Sequence, residues 1–185
     1  MRVIAGALGG RRLSAPRGRT TRPTSDRVRE ALFSMLGAID GASVLDLFAG
    51  TGALGIEALS RGAARALFVE RDASAVAALR DNLGRLELAE PRARVRVGDA
   101  LAALRSARRA SETYDLVFVD PPYGQLRAFE RELSALLPAV LAPGALVVVE
   151  SDRRARAELS LGVARHKRYG DTTITIHGTE DEDER

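Results

Sequence analysis

Two segments of this chain carry residue types whose spacing could do chemistry. The more specific is Asp120-Pro121-Pro122-Tyr123, which directly follows the apolar run 115–119. Consecutive prolines fix φ near −65° at two positions and remove two backbone donors, so the turn presents only carbonyls and one carboxylate. Such a corner accepts hydrogen bonds and does not donate them. The exocyclic amine of a nucleic-acid base offers two N–H donors. If Asp120 and the Pro121 carbonyl accepted both, the nitrogen would be drawn toward tetrahedral geometry, with its lone pair localised for in-line attack on a methyl sulfonium. Tyr123 offers a flat face for that base, a contact worth about 1–3 kcal/mol, and the base must leave its stack to reach it. The competing reading is a stiff β-to-α turn with Asp120 as a helix cap and Tyr123 as packing.

The second segment runs from Asp46 to Gly55 and places Gly50, Gly52 and Gly55 in G-x-G-x-x-G spacing. Glycines at a strand-to-helix turn let a ligand approach the backbone beside a helix N-terminus, and a dinucleotide pyrophosphate is the usual guest. Asp46 argues against a diphosphate, which its carboxylate would repel, and for an ammonium or sulfonium. Glu70 lies 20 residues past Gly50, where a carboxylate can accept from both hydroxyls of a ribose. NAD and S-adenosylmethionine both meet that test. Asp99, after the next strand, could accept from an adenine amine, although acids at strand ends are commonly just solvated. Phe48, Arg71 and Ala100 flank these positions and complete the expected cofactor set.

These residues need a frame that brings strand ends together. From residue 43 onward, short apolar runs alternate with amphipathic stretches. Residues 43–48, 66–69, 94–97, 115–119 and 145–149 read as strands, and a plausible helix follows each of the first four. That alternation predicts βαβ units and a parallel sheet covered on both faces. Residues 162–169 and 172–176, around Gly170-Asp171, predict an antiparallel hairpin at the sheet edge. Upstream, Thr24, Ser25 and Asp26 offer N-caps to a helix whose apolar positions are Val28, Leu32, Met35, Leu36 and Ile39. Residues 2–4 and 12–13, around Gly9-Gly10, suggest a small opening hairpin.

Composition narrows the chemistry. A length of 185 residues fits one domain, divided here into a basic arm (1–24), a catalytic domain (25–178) and an acidic tail expected to be disordered (179–185). Cysteine is absent, which excludes disulfides, zinc–thiolate sites and iron–sulfur clusters, and with them thiolate-dependent pyrimidine methylation and radical methylation. His166 and His177 have no ligand at metal spacing, so no metal is expected. No apolar stretch reaches the length of a membrane span, and a cytoplasmic protein is the default. Residues 1–30 hold eight arginines against Asp26 and Glu30, a balance that suits a polyanionic partner. Arg11, Arg12, Arg22 and Arg27 are the candidate contacts to phosphate or to a cofactor carboxylate.

Taken together, Gly9-Gly10-Arg11-Arg12-Leu13, the run Arg22-Pro23-Thr24-Ser25-Asp26-Arg27-Val28-Arg29-Glu30, the loop from Asp46 to Gly55, and Asp120 to Tyr123 resemble a known family over most of the chain. It is that of bacterial small-subunit (16S) ribosomal RNA guanine-N2 methyltransferases of the RsmD type. The resemblance implies a Rossmann-like class I methyltransferase: a mostly parallel seven-stranded sheet, helices on both faces and a C-terminal antiparallel hairpin. It implies S-adenosylmethionine as donor, S-adenosylhomocysteine as product, and one guanine of small-subunit RNA as target. It further implies that the N-terminal hairpin touches RNA and that the partner is a ribosomal particle or assembly intermediate; a monomer without membrane association is expected. Carried over, Asp46, Gly50 and Gly52 would line the methionine end of the cofactor, Glu70 the ribose and Asp99 the adenine, while Asp120 to Tyr123 would hold the guanine. Three alternatives stay open: an adenine-N6 DNA methyltransferase, a nicotinamide-dependent oxidoreductase, and a non-catalytic RNA-binding assembly factor.

Overall fold

The structure, a computed structural model, describes residues 1–15, 25–122, 125–152 and 159–178. Ser25 begins the first helix as anticipated: its Oγ accepts from Val28 N at 3.3 Å, and α1 (Asp26–Leu36) follows. Strand and helix then alternate as β1 (Ser43–Asp46), α2 (Ala53–Ser60), β2 (Arg65–Glu70), α3 (Ala73–Arg85), β3 (Ala93–Val97), α4 (Ala100–Arg109), β4 (Tyr114–Val119) and α5 (Leu126–Leu136). A 3₁₀ turn (Leu137–Val140) leads into β5 (Leu141–Asp152), and β6 (Gly162–Tyr169) and β7 (Thr172–Gly178) close the chain as a hairpin.

The strands form one sheet in the order β3-β2-β1-β4-β5-β7-β6. Strands β1 to β5 are parallel, and β7 runs antiparallel to both β5 and β6. Alternation along each strand divides the core. Val44, Phe68, Phe118, Val148, Ile174 and Ile176 pack with α1, α2 and α3 on one face. Leu45, Val69, Val117, Val119, Val147 and Val149 pack with α4 and α5 on the other. A parallel sheet must be covered on both sides, and these two clusters are that cover.

One detail departs from the sequence expectation. Strand β5 starts at Leu141, well before residue 145, because the register shift from Tyr114↔Leu141 to Leu116↔Leu146 leaves room for Pro143 and Gly144 to bulge. The acids after successive strands step outward: Asp46 is level with Phe68, whereas Glu70 is level with Val97.

The opening residues form the expected hairpin, with an Arg2↔Arg12 bridge, and they pack onto the sheet domain. Val3 and Leu13 join the first core cluster. Glu57, fully buried on α2, accepts from Ile4 N at 2.7 Å and Ala5 N at 3.1 Å and is paired with Arg61 at 2.7 Å. Ser60 Oγ accepts from Leu8 N at 2.9 Å and donates to the Ala5 carbonyl. Further along, Asn82 accepts from Ser14 N at 2.7 Å and donates to the carbonyls of Ser14 and Thr51. One buried amide therefore ties the arm to the glycine loop.

Candidate active site

The carboxyl ends of β2, β1 and β4 lie side by side at the point where the strand order reverses, where open parallel sheets form their ligand crevice. Asp46 ends β1 and is 2% exposed. Its Oδ2 accepts from Gly55 N at 3.2 Å. Burial pushes its pKa up to about 7; the donors Gly55 N and Phe48 N pull the other way, and the charge of Glu70 adds to the rise. A buried carboxylate held this high is uncompensated, and a cation beside it would lower its energy.

The three glycines have separate tasks. Gly50 has φ +55°, and a Cβ built there would meet nothing within 4 Å, so its backbone borders open space. Gly52 is the N-cap of α2. Gly55 serves packing: an added Cβ would lie 2.3 Å from Phe68 Cε1, so this glycine lets α2 press onto β2 and does not face a ligand.

Glu70 is already engaged. Its Oε2 accepts from Gly50 N at 2.8 Å, and its Oε1 accepts from Arg71 N and Asp72 N, each at 2.8 Å. These bonds hold the carboxylate rigidly against the glycine loop, and Oε2, which accepts one of them, retains a further lone pair for a hydroxyl donor. Asp99 caps α4, its Oδ1 accepting from Ala102 N at 3.0 Å, and Ala100 is buried in the first turn behind it. Phe48 packs against Phe129 of α5 with centroids 5.6 Å apart. Arg71 is exposed and donates to Gln125 Oε1 at 3.5 Å, reaching from the end of β2 to the connection after β4.

Asp120 follows β4 and is half-buried. Its pKa stands well above the ordinary carboxylate range, first through burial and then through the negative charges of Glu150 and Asp46. Pro121 is buried and Pro122 is exposed, and the Pro122 carbonyl accepts from Gln125 N at 3.0 Å, which turns the chain into α5. Glu150 was not singled out by sequence reasoning. The pairing Val119↔Val149 sets it beside Asp120, on the same sheet face as Asp46. An acid directly after the apolar run 145–149 was the available signal, since Asp120 follows 115–119 in the same way.

Arg11 and Arg12 are exposed on the opening hairpin, and Arg11 donates to the Arg85 carbonyl at 3.2 Å. Arg27, also exposed, lines a shallow cleft between that hairpin and α1, with Arg2, Asp26 and Glu30. Arg22 and Tyr123 lie outside the described residues. Among the described residues, no group of three or more His, Asp or Glu side chains could hold a metal ion, and no helix is long and apolar enough to cross a membrane.

The strand order, the glycine turn after β1 and the acids at the ends of β1, β2 and β4 define a class I methyltransferase fold. Comparison with known proteins makes the assignment more particular. Residues 1–178 match the family model described as "Conserved hypothetical protein 95", and the chain belongs to that family, whose members include the RsmD-type enzymes. Ribosomal RNA small subunit methyltransferase D of Escherichia coli is 42% identical over 155 residues, covering 82% of this chain and 75% of that one. The Bacillus subtilis protein YlbH is 41% identical over 186 residues, covering 96% and 98%. Among solved structures, yhhF from Escherichia coli superposes with a TM-score of 0.81 at 37% identity, over 98% of this chain and 99% of that one.

Proposed function

We propose that this protein transfers a methyl group from S-adenosylmethionine to the exocyclic N2 amine of a guanine in small-subunit ribosomal RNA. The observation that carries the reading is the junction of two differently built carboxylates. Asp46 sits deep beside the glycine loop, and Asp120 stands at a proline corner within electrostatic reach of it. Support for the substrate class comes from the relatives named for ribosomal RNA methylation.

The residues present fit the donor. Gly50 borders open space, Asp46 would gain from a neighbouring cation, and Glu70 is braced by three backbone N–H groups in a position to accept from a ribose. Phe48, Gly52, Arg71, Asp99 and Ala100 would form the rest of that wall. When bound, the donor supplies an electrophilic methyl group on sulfur. The chain's own contribution is positioning and proton acceptance. Asp120 and the Pro121 carbonyl would accept from the two N–H groups of the amine and aim its lone pair, while Tyr123 would stack on the base. Asp120, raised in pKa, is a better base than an ordinary carboxylate for the proton the amine must lose. Arg11, Arg12, Arg22 and Arg27 would hold phosphates, and the setting is a cytoplasmic ribosomal particle or assembly intermediate.

The test is nucleoside analysis of small-subunit RNA after treatment with the purified protein and isotopically labelled S-adenosylmethionine, using particles from a strain that lacks the modification. Label in N2-methylguanosine is the expected result. Label in N6-methyladenosine would overturn the base assignment, and label in no nucleoside would overturn the reading as a whole.

A further inference from the structure

The candidate phosphate contacts read from the sequence all fall between Arg11 and Arg27, but a second basic element lies at the edge of the sheet. Strand β6 is the outer strand of the sheet, and seven of its eight residues, from Gly162 to Arg168, are exposed. It carries Arg165, His166, Lys167 and Arg168 in succession, with no acid between Gly162 and Tyr169, and Lys167 is the only lysine in the chain. Resting on the proposal that RNA is the substrate, we infer that the outer end of β6, through Lys167 and Arg168, binds the RNA backbone beside the target nucleotide.

Register places these cations relative to the chemistry. Lys167 pairs with Ile174, and Ile174 pairs with Glu150, which neighbours Asp120 across β4 and β5. Three strand spacings of about 4.8 Å put Lys167 roughly 14 Å from Asp120, about four phosphate steps of a stacked strand at ~3.4 Å each. A base drawn out of its stack needs the flanking backbone held, and this is the range over which that hold must act. Arg165 is already committed, since its guanidinium donates to the Met35 carbonyl and fastens β6 to α1. Lys167 lies over the Tyr169 ring at 5.7 Å and, with Arg168 on the alternate face of the strand, straddles the sheet edge.

A plainer reading is that these charges only keep other strands off an exposed edge. Edge protection by itself does not require charge of one sign. Nor does it require the charge to gather at one end. Here Gly162, Val163 and Ala164 carry none, and the cations lie toward the strand end that shares the crevice with Asp120. Counter-charge is also useful there, because Asp46, Asp120 and Glu150 would otherwise repel an approaching phosphate backbone.

The test is a Lys167→Gln/Arg168→Gln double variant of the full chain beside the charge-keeping Lys167→Arg/Arg168→Lys. Both are titrated with a fluorescein-labelled single-stranded oligoribonucleotide over a salt series and assayed for methylation of small ribosomal subunits. Melting temperature and S-adenosylhomocysteine affinity serve as controls for folding. Two lost contacts to single-stranded RNA should lower the salt slope by about 1.4, so that between 50 and 200 mM salt the wild type loses about 7-fold more affinity than the Gln variant. The charge-keeping variant should match the wild type. An unchanged slope in the Gln variant would overturn the inference while leaving the enzyme assignment intact. Loss of methylation of whole subunits with wild-type oligoribonucleotide binding would point to a protein partner and overturn it as well. A wild type that neither binds RNA nor methylates subunits would remove the functional reading beneath it.

Discussion

Replacing Asp46 by asparagine tests the electrostatic core of the site, because the two side chains have almost the same shape and differ in charge. The carboxyl is 2% exposed, and burial raises its pKa from 3.8 to about 7. Each pKa unit corresponds to about 1.4 kcal/mol, so ionising Asp46 costs the folded, ligand-free protein on the order of 4 kcal/mol. The sign follows from the raised value. Below pH 3.8 the group is protonated in both states and carries no penalty. Between 3.8 and 7 the unfolded chain ionises first and stability falls, and above pH 7 the whole penalty is present. The Asp46→Asn variant escapes it, and the new amide oxygen can still accept from Gly55 N. Thermal unfolding without cofactor, followed for both proteins at about pH 5 and about pH 8, should show the variant gaining on the wild type as pH rises, by several degrees at a few degrees per kcal/mol. S-adenosylhomocysteine should reverse the order. Its ammonium would pair with the ionised carboxylate, so wild-type affinity should strengthen up to about tenfold per pH unit below 7 and then level off, and Asp46→Asn should lack that dependence. A stability gap that does not change with pH, or ligand affinity equal in both proteins, would refute the view of Asp46 as a cation-seeking charge.

Asp120→Ala should remove methyl transfer, with a fall of at least about 10²-fold expected for a lost proton acceptor, while calorimetry shows S-adenosylhomocysteine binding nearly as before. Asp120→Asn keeps one acceptor oxygen and should retain more activity than the Ala variant. Wild-type kcat/KM should rise with pH along a limb displaced above the ordinary carboxylate range, because Asp120 must be ionised to accept. A flat profile with no loss in either variant would discard the acceptor role. Glu57→Ala should strip the N-terminal hairpin of its anchor, leaving Ile4 N and Ala5 N without their acceptor at about 1–3 kcal/mol each. Hydrogen exchange at those two amides should speed up far more than at β1, and equal protection in variant and wild type would contradict it.

Much of this protein is determined along the chain itself. The alternation of apolar runs and amphipathic stretches specified β1 to β4 and their helices. Gly170-Asp171 marked the turn between β6 and β7, and the proline pair after β4 defined an acceptor-only corner through covalent geometry alone. These features are local, set by periodicity, by proline's fixed φ and by glycine's freedom, so neighbouring residues suffice to reveal them. Tertiary packing decided the remainder. Gly55 belongs to the glycine spacing yet faces Phe68, and Glu57, one acid in an apolar helix, became the socket for a segment more than fifty residues away. Glu150 acquired a relation to Asp120 only when β5 lay parallel to β4 in its bulged register. The same register aligned Lys167 with the crevice through a strand that comes later in the chain. A side chain's type can be read from the sequence, but its proton affinity depends on how much water its neighbours exclude and which charges they bring near, and only the folded chain sets those distances.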